Sequence, residues 1–165
     1  EAADIIGTGA IIYNDLRQSR NKNISFDWGR MLSFEEGSAV YLQYTCVRVR
    51  SILEKVETLF PGDSAIAAND ISNISFETAA EFFIVRHLMN FPEIIIYSQT
   101  HDSPHHLCGY LEELARFFNG FYNKVSIIKT RDENLRKSRI LLCRSTAQVL
   151  KNGLFLLNIK VSDKM

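Results

Sequence analysis

"SAVYLQYTCVRVRSI", residues Ser38–Ile52, sets two tyrosines and two arginines inside one apolar segment. Leu42, Cys46, Val49, Leu53, Val56 and Phe60 recur at alternating steps of four and three, which is one continuous apolar stripe on an α-helix. Ser38 follows Gly37 and stands where an N-cap belongs, and Pro61-Gly62 closes the run. Tyr41, Tyr44, Arg48, Ser51 and Lys55 keep the same spacing on a second stripe, roughly opposite the first. Aromatics alternating with cations on an outward face suit stacking on bases and pairing with phosphates. The stripe taken alone fits a second arrangement better: a two-sided helix inside a bundle, its tyrosines under a neighbour and its cations in water.

The chain on either side of this helix reads as helical too. Residues 2–17 form an apolar helix containing Gly7 and Gly9. "GTGA" lacks the third glycine and the preceding strand of a dinucleotide turn, so the glycines point to close helix packing. "NKNISFDWGRMLSFEEG" is a connector with a short turn, expected to be anchored by Phe26, Trp28, Met31 and Leu32. Residues 62–74, rich in Asp, Asn, Ser and Ala, read as a surface loop. A helix follows from about Glu77 to Met89, and Pro92 opens another, since its fixed φ favours a first helical position. Ser103-Pro104 repeats that signal before a strong helix with the stripe Leu107, Leu111, Leu114, Phe118 and Phe121. The last long helix spans about Asp132 to Lys151 and carries Leu135, Leu142 and Val149, with Gly153 as its C-terminal stop. The predicted fold class is all-α, a bundle of about five to six helices.

At 165 residues the chain is long enough for one domain with a real core, and 46% hydrophobic residues with three prolines describe a folded chain. No apolar run approaches the ~20 residues of a membrane span, and no signal peptide opens the sequence, so no membrane partner is expected. The first residue is Glu1 and the text starts as if mid-helix, as expected of a fragment. Cys46, Cys108 and Cys143 lie far apart, each within a predicted helix, with no CxxC spacing; an odd, scattered set gives no disulfide framework and fits a reducing, cytoplasmic setting. The net charge of zero hides an asymmetry. Residues 57–118 hold two cations against nine carboxylates, whereas residues 119–165 hold ten cations against three. A basic end is suited to a polyanion, and is equally the mark of a merely solvated surface.

Catalytic chemistry finds no support. His105-His106 with Cys108 raises a metal site, but adjacent histidines point about 100° apart on a helix and no second ligand pair follows, so no metal is expected. No serine or cysteine has the context of a nucleophile. Glu112-Glu113 reads as a solvated pair, and no Gly-rich phosphate loop is present.

"IIGTGAIIYNDLRQSRNKNISFDWGRMLSFEEGSAVYLQY" resembles the end of the catalytic region of arginyl-tRNA synthetases and the entry to their anticodon-binding domain. "PHHLCGYLEELARFFNGFY", "RILLCRSTAQVLKNGLFLL" and "VSDKM" resemble the rest of that domain, in the family's order, so the likeness covers essentially the whole chain. Glu36-Gly37-Ser38-Ala39-Val40 departs from the family's usual Gly-Asn-Thr-Ala-Pro. Asn158 and Ser162 stand where the family commonly has Gly and Pro, and Lys164 stands for Arg. The resemblance implies a class I synthetase anticodon-binding domain at 38–165, preceded at 1–37 by the tail of the catalytic region and a connector. It implies a parent that joins arginine to its tRNA using ATP with Mg, whose His-x-Gly-His signature lies upstream of Glu1. This chain is then expected to hold no catalytic residue and no cofactor, and to bind the anticodon stem-loop of arginine tRNA as a monomer without aminoacylating it. In the family an aromatic at the position of Tyr122 and the C-terminal methionine, here Met165, help form the pocket for loop bases. The helix carrying Tyr44, Arg48 and Lys55 faces the same loop. The rival reading is a helical protein-interaction module without an RNA role, which would lack the salt dependence of phosphate contacts.

Overall fold

The computed structural model describes residues 2–63 and 74–162. Most of the loop read at 62–74 lies outside the described residues, as does Met165. Among the described residues the chain forms seven helices and no strand: α1 (Ala2–Leu16), α2 (Trp28–Met31), α3 (Ala39–Leu59), α4 (Ala79–Met89), α5 (Phe91–Thr100), α6 (His105–Lys124) and α7 (Glu133–Leu156). α2 is a single turn. α3, α4, α6 and α7 surround one core, α1 closes against α3 and α6, and α5 lies along α6.

α3 begins at its expected cap. Ser38 has extended backbone, and its Oγ accepts the Tyr41 amide at 3.0 Å. Leu42, Val49 and Val56 are fully buried, with Cys46, Leu53 and Phe60 half-buried along the edge of the same stripe. The α6 stripe is buried throughout, from Leu107 to Phe121. Each such side chain taken from water stabilises the fold by about 1.5–3 kcal/mol, which is why spacing alone located these two helices.

α4 is fastened at its first turn. Thr78 and Glu81 form a capping box. One carboxylate oxygen of Glu81 accepts the backbone amides of Thr78 and Glu77 at 2.7 and 2.8 Å, and the other accepts Arg139 Nε of α7 at 2.6 Å. Burial pushes the Glu81 carboxyl up. The hydrogen bonds from Arg139 and the two amides outweigh that and hold it below its ordinary value.

Three details differ from the sequence expectation. Gly153 is not a stop: α7 runs through it to Leu156. A Cβ at Gly153 would collide with Leu111 Cδ2, so this glycine lets α6 and α7 approach. The helix is capped instead by Leu157, with Asn158 in the left-handed region at φ 58°. The Ile159 amide donates to Leu154 O at 2.8 Å and the Asn158 amide to Phe155 O at 2.9 Å, a Schellman turn that usually takes glycine and sometimes asparagine. Second, close packing falls on Gly9 alone, where a Cβ would meet Gln43 Nε2 at 2.9 Å, while Gly7 faces open space. Third, of the four residues expected to anchor the connector, only Met31 is buried; Phe26, Trp28 and Leu32 are exposed. Phe26 and Trp28 instead meet edge-to-face at 4.8 Å on the surface.

Candidate nucleic-acid interface

The second stripe of α3 divides along its length. Tyr41, Tyr44 and Arg48 are half-buried against α6, whereas Ser51 and Lys55 are exposed. The organiser is Asn119, one position past the buried Phe118. Its Nδ2 donates to the Tyr41 hydroxyl at 3.0 Å and to Thr45 Oγ1 at 3.1 Å, and its Oδ1 accepts Arg48 Nη1 at 2.7 Å. Arg48 Nη2 also donates to the Tyr44 hydroxyl at 3.2 Å. The guanidinium is thereby held 4.7 Å from the Tyr44 ring centroid and 5.7 Å from that of Tyr122. Both separations are within cation–π range.

Two rings extend this cluster. Phe34 meets Tyr44 edge-on at 5.6 Å and is 62% exposed. Tyr122 lies parallel to Phe118 at 6.5 Å and is 39% exposed. Phe34 sits in a turn held by Ser38, whose hydroxyl lies 2.6 Å from Ser33 O and 3.1 Å from Glu35 O. Gly37, at φ 91°, completes the turn, and its carbonyl accepts Arg17 Nη1. The result is two tyrosine rings beside a fixed cation whose two hydrogen-bond acceptors are both neutral, with the exposed Phe34 ring against Tyr44. Such a surface can stack unpaired bases and contact a phosphate.

The structure thus brings Tyr44, Arg48 and Tyr122 together. Lys55 lies two turns further along α3, outside the cluster, and Met165 is outside the described residues. Phe34 and Asn119 were missed by sequence reasoning. Asn119 carried a faint signal, a lone amide beside a core stripe, but its role needs α3 against α6. The bundle contact and the outward face, posed as alternatives for this stripe, are both present in it.

Other chemistries fare as follows. Among the described residues no group of three or more His, Cys, Asp or Glu could hold a metal ion. Burial pushes the thiols of Cys46, Cys108 and Cys143 up to about 12, and all three are free. Such thiols are poor nucleophiles. Glu112 and Glu113 are not simply solvated: Glu112 accepts the Tyr13 hydroxyl at 3.3 Å, and Glu113 pairs with Arg116 at 3.0 Å. A cleft of about 840 Å³ lies between α3, α7 and the segment after α7, with Cys46, Leu53 and Val161 among its apolar walls and Arg50, Arg144, Lys151 and Lys160 among its cations. It opens on another side of α3 from Tyr44 and Arg48, because Cys46, Arg50 and Leu53 are turned about 120–180° from them at 100° per residue.

Residues 42–165 match the DALR anticodon binding domain family. The chain belongs to that family. An arginine–tRNA ligase of Clostridium kluyveri is 41% identical over 165 residues, all of this chain and 28% of the relative. The arginyl-tRNA synthetase structure of Thermus thermophilus superposes with a TM-score of 0.86 at 30% identity, over 99% of this chain and 27% of that one. The arginyl-tRNA synthetase of Plasmodium falciparum superposes at 0.81 with 31% identity, over 99% and 28%. This DALR domain therefore spans a little over a quarter of the length of the relatives it matches. None of its described helices is long and apolar enough to cross a membrane.

Proposed function

We propose that this DALR domain grips the anticodon stem-loop of an arginine tRNA, with loop bases stacked on Tyr44, Tyr122 and Phe34 and a phosphate or base edge held by Arg48. The observation that carries this reading is the Arg48 guanidinium, fixed by neutral groups between two tyrosine rings in a chain of this family. A splayed-out loop offers π-faces, and each base stacked on an aromatic contributes about 1–3 kcal/mol. The hydroxyls of Tyr41 and Tyr44 accept hydrogen bonds from Asn119 and Arg48, which leaves their protons to donate to RNA oxygens. Met165 belongs to the same proposal as an adaptable wall beside Tyr122.

In the whole protein this grip positions arginine tRNA for ATP- and Mg-dependent joining of arginine, carried out by a catalytic part outside these residues. The relatives' names and the quarter of their length matched here support that division. Residues 1–37 form the tail of the catalytic region and a connector, and residues 38–165 form the anticodon-binding domain. Three buried or half-buried free thiols fit a reducing, cytoplasmic compartment.

The test compares the anticodon stem-loop with a minihelix lacking the loop, by fluorescence anisotropy. Tyr122→Ala, or deletion of Met165, should cost about 1–3 kcal/mol on the stem-loop and almost nothing on the minihelix. Equal losses on both would mean that these residues act only through the fold. A flat response to salt would favour the protein-interaction module.

A further inference from the structure

The cations of the basic C-terminal third do not form one surface. Arg139 is buried on Glu81. Arg136 Nε donates to Asp63 Oδ2 at 2.7 Å, and its guanidinium lies 4.2 Å from the Phe60 ring centroid. Both are neutralised inside the bundle. Lys129 and Arg131, in the α6–α7 loop, are exposed and have no ion-pair partner among the described residues.

That loop is fixed. Ile127 is buried, and the Thr130 hydroxyl donates to Ser126 O at 2.8 Å while accepting Arg139 Nη1 at 2.8 Å. Thr130 O accepts Arg136 Nη1 at 3.0 Å. Tying Thr130 inward turns its neighbours Lys129 and Arg131 outward. Through Arg136 the loop is also fastened to Phe60 and Asp63 at the C-terminal end of α3. Along α3, Lys55 continues the stripe of Tyr44 and Arg48, about 10 Å beyond Arg48 at 1.5 Å per residue. Lys55 is likewise exposed and unpaired among the described residues. Three exposed cations without an ion-pair partner among the described residues thus lie beyond the aromatic cluster, Lys55 further along the helix of Arg48 and Lys129 and Arg131 in the loop that follows Tyr122 and the end of α6.

We propose that Lys55, Lys129 and Arg131 form a phosphate-binding tract for the RNA stem that continues from the loop held at Tyr44 and Tyr122. The inference rests on the RNA reading above and deepens it by separating stem from loop. Flexible lysines presented as point charges suit phosphates and do not read base edges. The other cation-rich surface, the cleft with Lys151 and Lys160, faces the opposite side of α3. An RNA arm seated on Tyr44 cannot reach it without passing round the helix.

That opposition supplies the control. A labelled anticodon stem-loop is titrated across a range of salt with the unmodified chain, with the Lys129→Gln/Arg131→Gln pair, and with the Lys151→Gln/Lys160→Gln pair. Each pair removes the same charge. The first pair should flatten the log–log salt slope by about 0.7–0.9 for each charge removed, and adding Lys55→Gln should flatten it by one further step. The second pair should leave the slope as it was. A loop oligonucleotide without a stem should bind all variants alike. Equal flattening by both pairs, or a matching loss on the loop oligonucleotide, would overturn the tract while leaving RNA binding in place. Failure of the unmodified chain to bind the stem-loop would overturn the RNA reading itself and the tract with it.

Discussion

Arg48 and Arg139 are both drawn into the bundle by side-chain hydrogen bonds, yet with opposite electrostatic results. Arg139, 7% exposed, faces the fully buried carboxylate of Glu81 at 2.6 Å, so its charge is cancelled and the pair clasps α7 to α4. Arg48 is held by the amide of Asn119 and the phenol of Tyr44, so it is equally oriented and remains a net positive charge at the surface. A neutral partner fixes geometry without quenching the field, whereas an ionic partner does both. One arginine therefore serves the fold and the other remains able to meet an anion.

The largest expected effect breaks the first member of the comparison. Glu81→Gln leaves the buried Arg139 with only the exposed carboxylate of Glu77, 3.9 Å from its Nη2, and should cost about 3–5 kcal/mol, measured by urea unfolding. A loss below ~1 kcal/mol would mean that the clasp does not hold α4 to α7. Acid approaches the same state. The Glu81 carboxyl sits below its ordinary value in the folded protein, so its contribution is complete above the unfolded pKa of about 4.3 and fades as pH falls through the folded value. Stability should decline on acidification below that point, and Glu81→Gln should blunt the decline.

A smaller effect is expected at Arg48. Arg48→Ala removes a charged hydrogen-bond donor and should weaken the anticodon stem-loop by about 1.5–3 kcal/mol. It also orphans Asn119 Oδ1, but at a half-open site where water can take over, so the stability cost should be near ~1 kcal/mol. If thermal unfolding shifted strongly while RNA binding held, Arg48 would belong with Arg139.

The smallest and most pointed change is Asn119→Asp, which gives Arg48 the kind of partner Arg139 has. The new carboxylate cannot donate to the Tyr41 hydroxyl and Thr45 Oγ1 as Asn119 Nδ2 does, so stability should fall by about 0.5–1.5 kcal/mol, and the salt slope for the stem-loop should become shallower by about 0.7–0.9, as for one lost phosphate contact. An unchanged slope would show that Arg48 does not act through its net charge.

The contrast between the two arginines also shows what the sequence could reveal. The α3 and α6 stripes were legible because burial imposes a period on a single helix, and Leu42 or Phe118 needs no knowledge of its neighbour to be placed. Thr78 and Glu81 display their capping box in four consecutive letters, but nothing there names Arg139, 58 positions away. Tyr44, Arg48 and Tyr122 were picked out by residue type and by resemblance; that Asn119 joins them is a property of α3 lying against α6. Gly153 was misread because a glycine after a helical run looks the same whether it ends the helix or admits a neighbour. Phe26, Trp28 and Leu32 were assigned to anchoring by hydrophobicity alone, which does not say whether a covering surface exists among these residues.

The Schellman turn at Asn158 has a consequence in time as well as in space. It reverses the chain so that Ile159 reaches Gly9 and Lys160 O accepts Gln43 Nε2 at 2.8 Å, a contact spanning 117 residues. On a ribosome adding about 5–20 residues per second, Gln43 waits roughly 6–25 s for that partner. Until then Gln43 Nε2 has only Ile5 O of α1, at 3.4 Å, and nothing after α7 packs on α1. α1 is thus completed only by the segment that follows α7, which makes its early docking reversible and defers its commitment until that segment has been made.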